Sequence, residues 1–312
     1  MPKLPNAVDP TLAAADMAMV ATQDRYKRKY LGMSSIGEPC ERKLWYSFRH
    51  ALTVTFDALT LKRFEDGHRT EDLTIARLRR VDGLTIVDRG ADGRQLGAKL
   101  LGGHFAGHYD FMAQGLLQAP KTWHVGEVKC TAKLSELEKH VSNLGEKNAL
   151  QAWNVTYYGQ AQMYMDCEGV ERHWLVATTP GGREWTSVRT DYDPLAAMKL
   201  KAKAERIIFS ETAPGRIGEA TSFACKWCDY HGLCHGDTMP ERSCRNCVHA
   251  TALPVGNADW RCEKGLAFGT ICEHHRWLPS MINGAQRDVI DGAIVYELAN
   301  GREFRDVGGN AG

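Results

Sequence analysis

No stretch of the sequence approaches the roughly 18 consecutive apolar residues that a membrane-crossing helix needs, so no membrane span is expected. A signal-peptide pattern is missing as well. Residues 13–20 are mildly apolar, but Asp16 interrupts them and the start carries little positive charge. The expectation is an intracellular, cytoplasmic protein. An excess of charge of one sign is also absent: 39 Lys and Arg face 38 Asp and Glu, for a formal net charge of +1. Any nucleic-acid surface must therefore be a local patch. No G-x-x-x-x-G-K-[ST] run occurs, which argues against a nucleotide-driven motor. A flavin or nicotinamide fingerprint is lacking too, which counts against a redox enzyme. There is no internal repeat, and no low-complexity block beyond the last five residues.

Cysteine, by contrast, is plentiful, with ten in 312 residues. A reducing compartment disfavours structural disulfides. Eight of the ten stand in spacings that suggest metal ligands. The other two, Cys130 and Cys167, read as small core residues.

The 43% hydrophobic and 25% charged fractions suit a globular chain with a sizeable core. Residues 1–32 read as a helical or loose lead-in. Residues 34–49 read as a loop into a helix that Ser35 could cap, and 64–80 as a helix. Strands are expected over 84–87, 99–105, 107–113 and 122–130. A short helix over 135–140 and one long helix over 148–165 follow. A strand pair, 173–178 and 185–189, then surrounds Pro180-Gly181-Gly182, and 194–208 reads as a helix. The tail predicts a hairpin of 294–298 with 303–307 around Asn300-Gly301, a favoured two-residue turn. The order predicts an α/β or α+β fold with a mixed central sheet flanked by helices. Composition shifts after Pro214 divide the chain into 1–214, a cysteine segment 215–240 and a small module 241–312 with the terminal hairpin.

The residues that bear chemistry begin with Asp110, set in an apolar strand beside Tyr109, Phe111 and Met112. Glu127 and Lys129 stand two apart on the next strand and so share one face, with Val128 turned to the core. If the strands are neighbours, Asp110 and Glu127 converge. Two converging carboxylates suit Mg2+ or Mn2+, which would polarise a phosphodiester and acidify a bound water. Lys129 would steady the attacking water or the charge growing on phosphate. The plainer alternative is a solvated Glu–Lys pair beside a surface Asp.

The order of further motifs favours chemistry. Gly67-His68-Arg69-Thr70-Glu71 gives G-x-x-x-(H/E) on a helix; Asp110 and Glu127-Val128-Lys129 follow; Gln160-Ala161-Gln162-Met163-Tyr164 gives Q-x-x-x-Y on a later helix, with Gln160 and Tyr164 on one face. In this the chain resembles the RecB-like branch of the PD-(D/E)XK nucleases. The resemblance implies a restriction-endonuclease-like core. It implies that Glu71 is a further metal ligand or support, and that Gln160 and Tyr164 border the active site or contact DNA. Many relatives carry His where Glu71 stands, and His68 lies nearby.

Cys225, Cys228 and Cys234 form C-x2-C-x5-C, with Cys40 a candidate fourth ligand. Four thiolates hold either [4Fe-4S] or Zn2+, and the spacing does not choose. His231 and His235 are spare ligands for zinc. Iron–sulfur members of the resembled branch, such as the CRISPR adaptation and AddB-type nucleases, place one Cys before the nuclease motifs and three after. The resemblance thus implies a [4Fe-4S] site acting as a staple. Cys244, Cys247, Cys262 and Cys272 fit a small zinc module, with His249, Glu273, His274 and His275 as alternative ligands. Trp227, Trp260 and Trp277 beside these sites read as packing residues.

The densest basic groups are Arg42, Lys43 and Arg49, then Arg77, Arg79 and Arg80. They suit either phosphate contact or a helix surface. Lys199, Lys201 and Lys203 read as a solvated face. The function expected from all this is a Mg2+- or Mn2+-dependent deoxyribonuclease, as an exonuclease on single strands or duplex ends. It would be a stand-alone phage or bacterial enzyme in recombination, repair or replication, with a replication or recombination protein as a possible partner. The rival is a non-catalytic DNA- or protein-binding module on the same fold.

Overall fold

The computed structural model describes residues 9–309; the first eight residues of the expected lead-in, and the last three of the tail, lie outside the described residues. Helix α1 (Pro10–Thr22) starts where Asp9 accepts from the backbone of Thr11 and Leu12. Strand β1 (Leu31–Gly32) leads through a short turn to α2 (Glu41–Phe48). The cap of α2 is Cys40 rather than Ser35: its sulfur accepts from the Lys43 N–H, and Ser35 belongs to the preceding 3-10 turn. Helix α3 runs Ala58–Leu78, longer than expected because Asp57 caps it early.

Strands β2 (Thr85–Val87), β3 (Gly97–Leu100), β4 (Phe105–His108), β5 (Phe111–Gln114) and β6 (His124–Cys130) follow. Then come α4 (Leu134–Leu144), α5 (Glu146–Trp153), α6 (Val155–Glu168), β7 (Arg172–Thr178), β8 (Trp185–Asp191) and α7 (Pro194–Phe209). The main sheet has the order β2-β5-β6-β7-β8, antiparallel except for the parallel β6–β7 pair. The fold is α+β with a mixed central sheet, as the element order predicts. A parallel pair needs a crossover, and α4, α5 and α6 supply it.

Three expectations change here. The strand expected over 107–113 is two strands. β4 pairs with β1 and β3 in a separate three-stranded sheet, and β5 joins the main sheet. The helix expected over 148–165 is likewise two, because Asn154 leaves the helical region and caps α6 through the N–H groups of Thr156 and Tyr157. The strand expected over 99–105 breaks at residues 101–103, where Leu101, Gly102 and Gly103 all have positive φ.

Gly126, on β6, admits no side chain: a Cβ there would lie 1.9 Å from the Phe111 ring. Gly126→Ala is expected to cost ~1–3 kcal/mol, the usual price of overpacking, read as a lower urea midpoint at unchanged slope.

The last third of the chain forms β9 (Ala250–Ala252) with β10 (Trp260–Cys262), and a meander of β11 (Gly284–Ile290), β12 (Ala293–Leu298) and β13 (Glu303–Asp306). The expected hairpin is therefore the second half of a three-stranded sheet. Its turn is a three-residue loop, with the Leu298 N–H bonded to the Arg302 carbonyl. Only Gly301 there has positive φ, whereas the two-residue turn needs it at both central positions.

Trp260, Trp277, Leu278, Met281 and Tyr296 join Trp45, Phe48, Phe105 and Tyr164 in one buried cluster, which also takes Tyr230. Residues from all three expected segments thus share one core. Trp227 is a correction: it is 77% exposed, while Trp260 and Trp277 are buried as expected.

Several expected surface cations are structural. Arg49 is 2% exposed and donates to the carbonyls of Arg245 and Ser210. Arg42 donates to the Tyr46 hydroxyl and the Pro214 carbonyl, and Lys43 pairs with Glu38. Arg77 donates to the Gly182 carbonyl and Arg79 pairs with Asp88. Lys203 is no solvated group: it donates to the carbonyls of Ile36 and Glu38, while Lys201 pairs with Asp166.

Candidate active site

The break between β4 and β5 positions Asp110. The chain leaves the small sheet after His108 and enters the main sheet at Phe111, so Asp110 sits on the seam. Its own N–H donates to the Gly126 carbonyl, and its Oδ2 accepts from the Val128 N–H at 2.7 Å. Both bonds hold the carboxylate against β6. Glu127 stands on that strand at 4% exposure, so it is not a solvated residue. Val128 faces the other side, as the alternation requires. Cys130 follows it, beside Thr70 of α3 and half-buried.

The Lys129 ammonium donates to Glu127 Oε1 and lies 5.0 Å from the centre of the Tyr157 ring. Gln160, on α6, donates to the same Oε1 at 2.8 Å. One turn on, the Tyr164 hydroxyl donates to the His108 carbonyl at 2.7 Å, fixing the end of β4 just before Asp110. Gln160 and Tyr164 are thus buried braces, not exposed contacts. Glu71 and His68 approach from α3. All six residues of the motif set, with His68, line one cleft of about 490 Å3.

The electrostatics of the cleft favour a cation. Burial first, and then repulsion from Glu127, pushes the Asp110 carboxyl well above the usual carboxylate range. Burial and the same neighbour raise Glu71. Burial opposes the Lys129 charge, but Glu127 and Asp110 outweigh it and hold its pKa above the ordinary value. Glu127 Oε2 is buried with no hydrogen-bond partner. A buried, unpartnered carboxylate oxygen is costly unless something positive fills the space before it. Among the described residues, no three His, Cys, Asp or Glu side chains are gathered into a finished metal cage. Mg2+ does not demand one, since it keeps several waters and takes one or two carboxylates. The donor set fits such an ion.

Both cysteine quartets come together. Cys40, Cys225, Cys228 and Cys234 line a cavity of about 20 Å3, with His231 and His235 beside them. Cys244, Cys247, Cys262 and Cys272 line another of about 20 Å3. All ten cysteines are free thiols. Backbone N–H groups point at sulfur in each, from Lys43 to Cys40 and from Gly269 to Cys244, both at 3.4 Å. Such donors favour thiolate, while burial raises the Cys228, Cys244 and Cys247 thiols above their ordinary range; the donors are of the type a sulfur-bound metal group uses, but among the described residues neither quartet is gathered into a finished cage. His275 is no spare ligand: Arg242 contacts its Nδ1, and its Nε2 faces Ser243 and Asn246. Burial, then Arg242, lowers its pKa to about 4.

The cleft also takes in Arg28, Tyr30, Ser34, Asp72 and Gln95, which sequence reasoning missed. A signal was present: Arg25-Tyr26-Lys27-Arg28-Lys29-Tyr30 interleaves four cations with two aromatics inside what read as a lead-in.

No family model matches the sequence, and no curated protein matches it. Among solved structures, the chain is similar to an alkaline exonuclease from Laribacter hongkongensis, at 14% identity and TM-score 0.41 over 61% of this chain and 90% of that one. The same exonuclease in complex with dAMP gives 14% and 0.39 over 57% and 86%. A phage-related exonuclease from Haemophilus somnus 129PT gives 15% and 0.34 over 47% and 69%.

Proposed function

We propose that the protein is a metal-dependent DNA nuclease of the PD-(D/E)XK type, working as an exonuclease. One observation carries the reading: residues scattered from 71 to 164 in the sequence, in the order that motif set requires, line a single cleft whose buried carboxylates repel one another. Asp110 and Glu127 would hold Mg2+ or Mn2+, with Glu71 assisting. When bound, the ion supplies charge to the scissile phosphate and acidifies a water.

The chain's own residues do the rest. Gln160 and Lys129 both hold Glu127 Oε1, leaving the buried Oε2 without a partner and free to accept. Lys129 keeps its proton at working pH and offers a positive donor to water or to a phosphate oxygen. The Val128 N–H fixes one oxygen of Asp110 and leaves the other available. The first quartet would carry a [4Fe-4S] cluster that ties α2 to the segment after α7. The second would carry Zn2+.

The test is cleavage of end-labelled linear single- and double-stranded DNA and of closed circles, with Mg2+ or Mn2+ and protein purified without oxygen. Lys129→Ala is expected to cut ~10²–10³-fold more slowly than the wild type, the cost of losing one charge-stabilising donor. Cleavage of linear DNA alone marks an exonuclease. If the wild type cuts nothing under either metal, the reading falls and the binding-module alternative takes its place.

A further inference from the structure

The segment 25–30, which belongs to no helix or strand, borders two clefts. Arg28 and Tyr30 line the candidate active site. Lys27 and Lys29, alternating with them, line a second cleft of about 660 Å3 with Arg242, Arg245, Trp260 and Phe268. The segment is strapped in place by its carbonyls: His50 bonds that of Arg28, and Arg245 donates to that of Lys29 at 2.6 Å.

The second cleft also takes in the Asp259 carboxylate, which accepts from the Asn257 N–H, but Lys29 and Arg245 on its wall form no ion pair among the described residues. Arg245 is 5% exposed and donates only to the carbonyls of Phe48 and Lys29. Arg49 lies behind it, equally buried, with carbonyl partners alone. Both guanidinia face the Trp260 ring, at 5.2 and 5.3 Å. Buried cations are ordinarily paired with an anion. Lys27 and Arg242 have such partners, Glu241 and Asp306; none of the ion pairs among the described residues involves Lys29, Arg245 or Arg49. Phe268 lies parallel on Trp260, with centroids 5.4 Å apart, and is only half-buried. Standing positive charge beside an accessible ring is what a polynucleotide strand uses, phosphate on the cation and base on the ring. A near-neutral chain needs such a local patch, and Arg42, Arg49, Arg77 and Arg79 are engaged with carbonyls, a hydroxyl or a carboxylate.

We propose that this cleft is a second nucleic-acid subsite, which grips the single-stranded arm of the substrate on the far side of the 25–30 segment from the cleavage position. The inference rests on the nuclease reading for what the neighbouring cleft does, but the two fail separately.

Binding of fluorescein-labelled oligothymidylates of ~4 and ~20 nucleotides, spanning the usual single-strand site sizes, would be followed by anisotropy in Ca2+ at several salt concentrations. Lys29→Ala is expected to flatten the salt dependence for the long strand by ~0.7, the value for one phosphate contact on a single strand. Phe268→Ala should weaken the long strand ~10-fold, as loss of one stacked base does. Neither should alter binding of the short strand, and Lys29→Ala should leave the melting temperature unchanged. Wild-type affinity for the long strand in both variants overturns the proposal, as does equal weakening of both strands. DNA cleavage is assayed beside it. A wild type that cuts, with variants unchanged on the long strand, keeps the nuclease and removes the subsite. A wild type that never cuts, with variants weakened on the long strand, keeps the subsite and removes the nuclease.

Discussion

Asp110→Asn is expected to abolish DNA cleavage, by ~10³-fold or more, while making the metal-free protein more stable. The two effects have one cause. The carboxylate is buried beside Glu127 and Glu71, and its proton is held to a pH well above the usual range. A carboxyl whose folded pKa is raised lends stability below its unfolded pKa and loses it as pH rises through the folded one. As pH rises through the raised folded pKa the metal-free wild type loses that contribution, and a neutral amide does not. Asn keeps an oxygen for the Val128 N–H, so the backbone bond at 2.7 Å survives. A gain of ~1 kcal/mol would raise the melting temperature by ~2–4 °C in a chain of this size. Scans with chelator at pH 5 and pH 8 should show the advantage growing with pH. Excess Mg2+ or Mn2+ should then raise the wild type and not the variant, since only a native state that binds the ion gains from it. A destabilised variant would mean that Asp110 serves packing, and the metal assignment would fail.

The second large effect concerns the Cys244 quartet. With a structural zinc ion worth ~10–16 kcal/mol in small modules, Cys262→Ser is expected to release one zinc per chain and to melt the surrounding segment. Trp260 and Trp277 lie beside these cysteines and are buried in the main core. The loss should therefore appear as a red shift of tryptophan emission, and a lower melting temperature should follow for the whole molecule rather than for a detached module. Metal analysis of the wild type that finds no zinc, with unchanged emission in the variant, would remove the ion from this site.

The elements legible in the sequence were those set by strong periodicity or capping. α3 and α7, the strands β6, β7 and β8, and the alternation that puts Glu127 and Lys129 on one face all follow from local pattern, whereas the break at Asn154 that separates α5 from α6 does not. Asp110 was recognised by residue type and order, but its setting was misread. Nothing in Gly-His-Tyr-Asp-Phe says that the chain changes sheets there, because sheet membership depends on β1 and β6, far away in sequence. Arg49 and Lys203 were misread for a related reason. A cation satisfied by carbonyls from distant loops looks like any surface cation until those loops are in place. The basic 25–30 segment was passed over because it has no hydrophobic period, which is the signal that identifies elements but not binding loops.

The shared core also has a consequence for synthesis. Trp45, Phe48 and Arg49 emerge early from the ribosome, yet Arg49 takes carbonyls from Ser210 and Arg245, and the cluster around Trp45 is closed by residues as late as Met281 and Ile282. At ~5–20 residues per second, the interval is on the order of ten to fifty seconds. For that time a nascent chain carries a large aromatic surface and an unmet guanidinium with nothing to cover them. Chains halted after residue 214 should be captured by chaperones or aggregate, and a supply of residues 215–309 as a separate piece should rescue them.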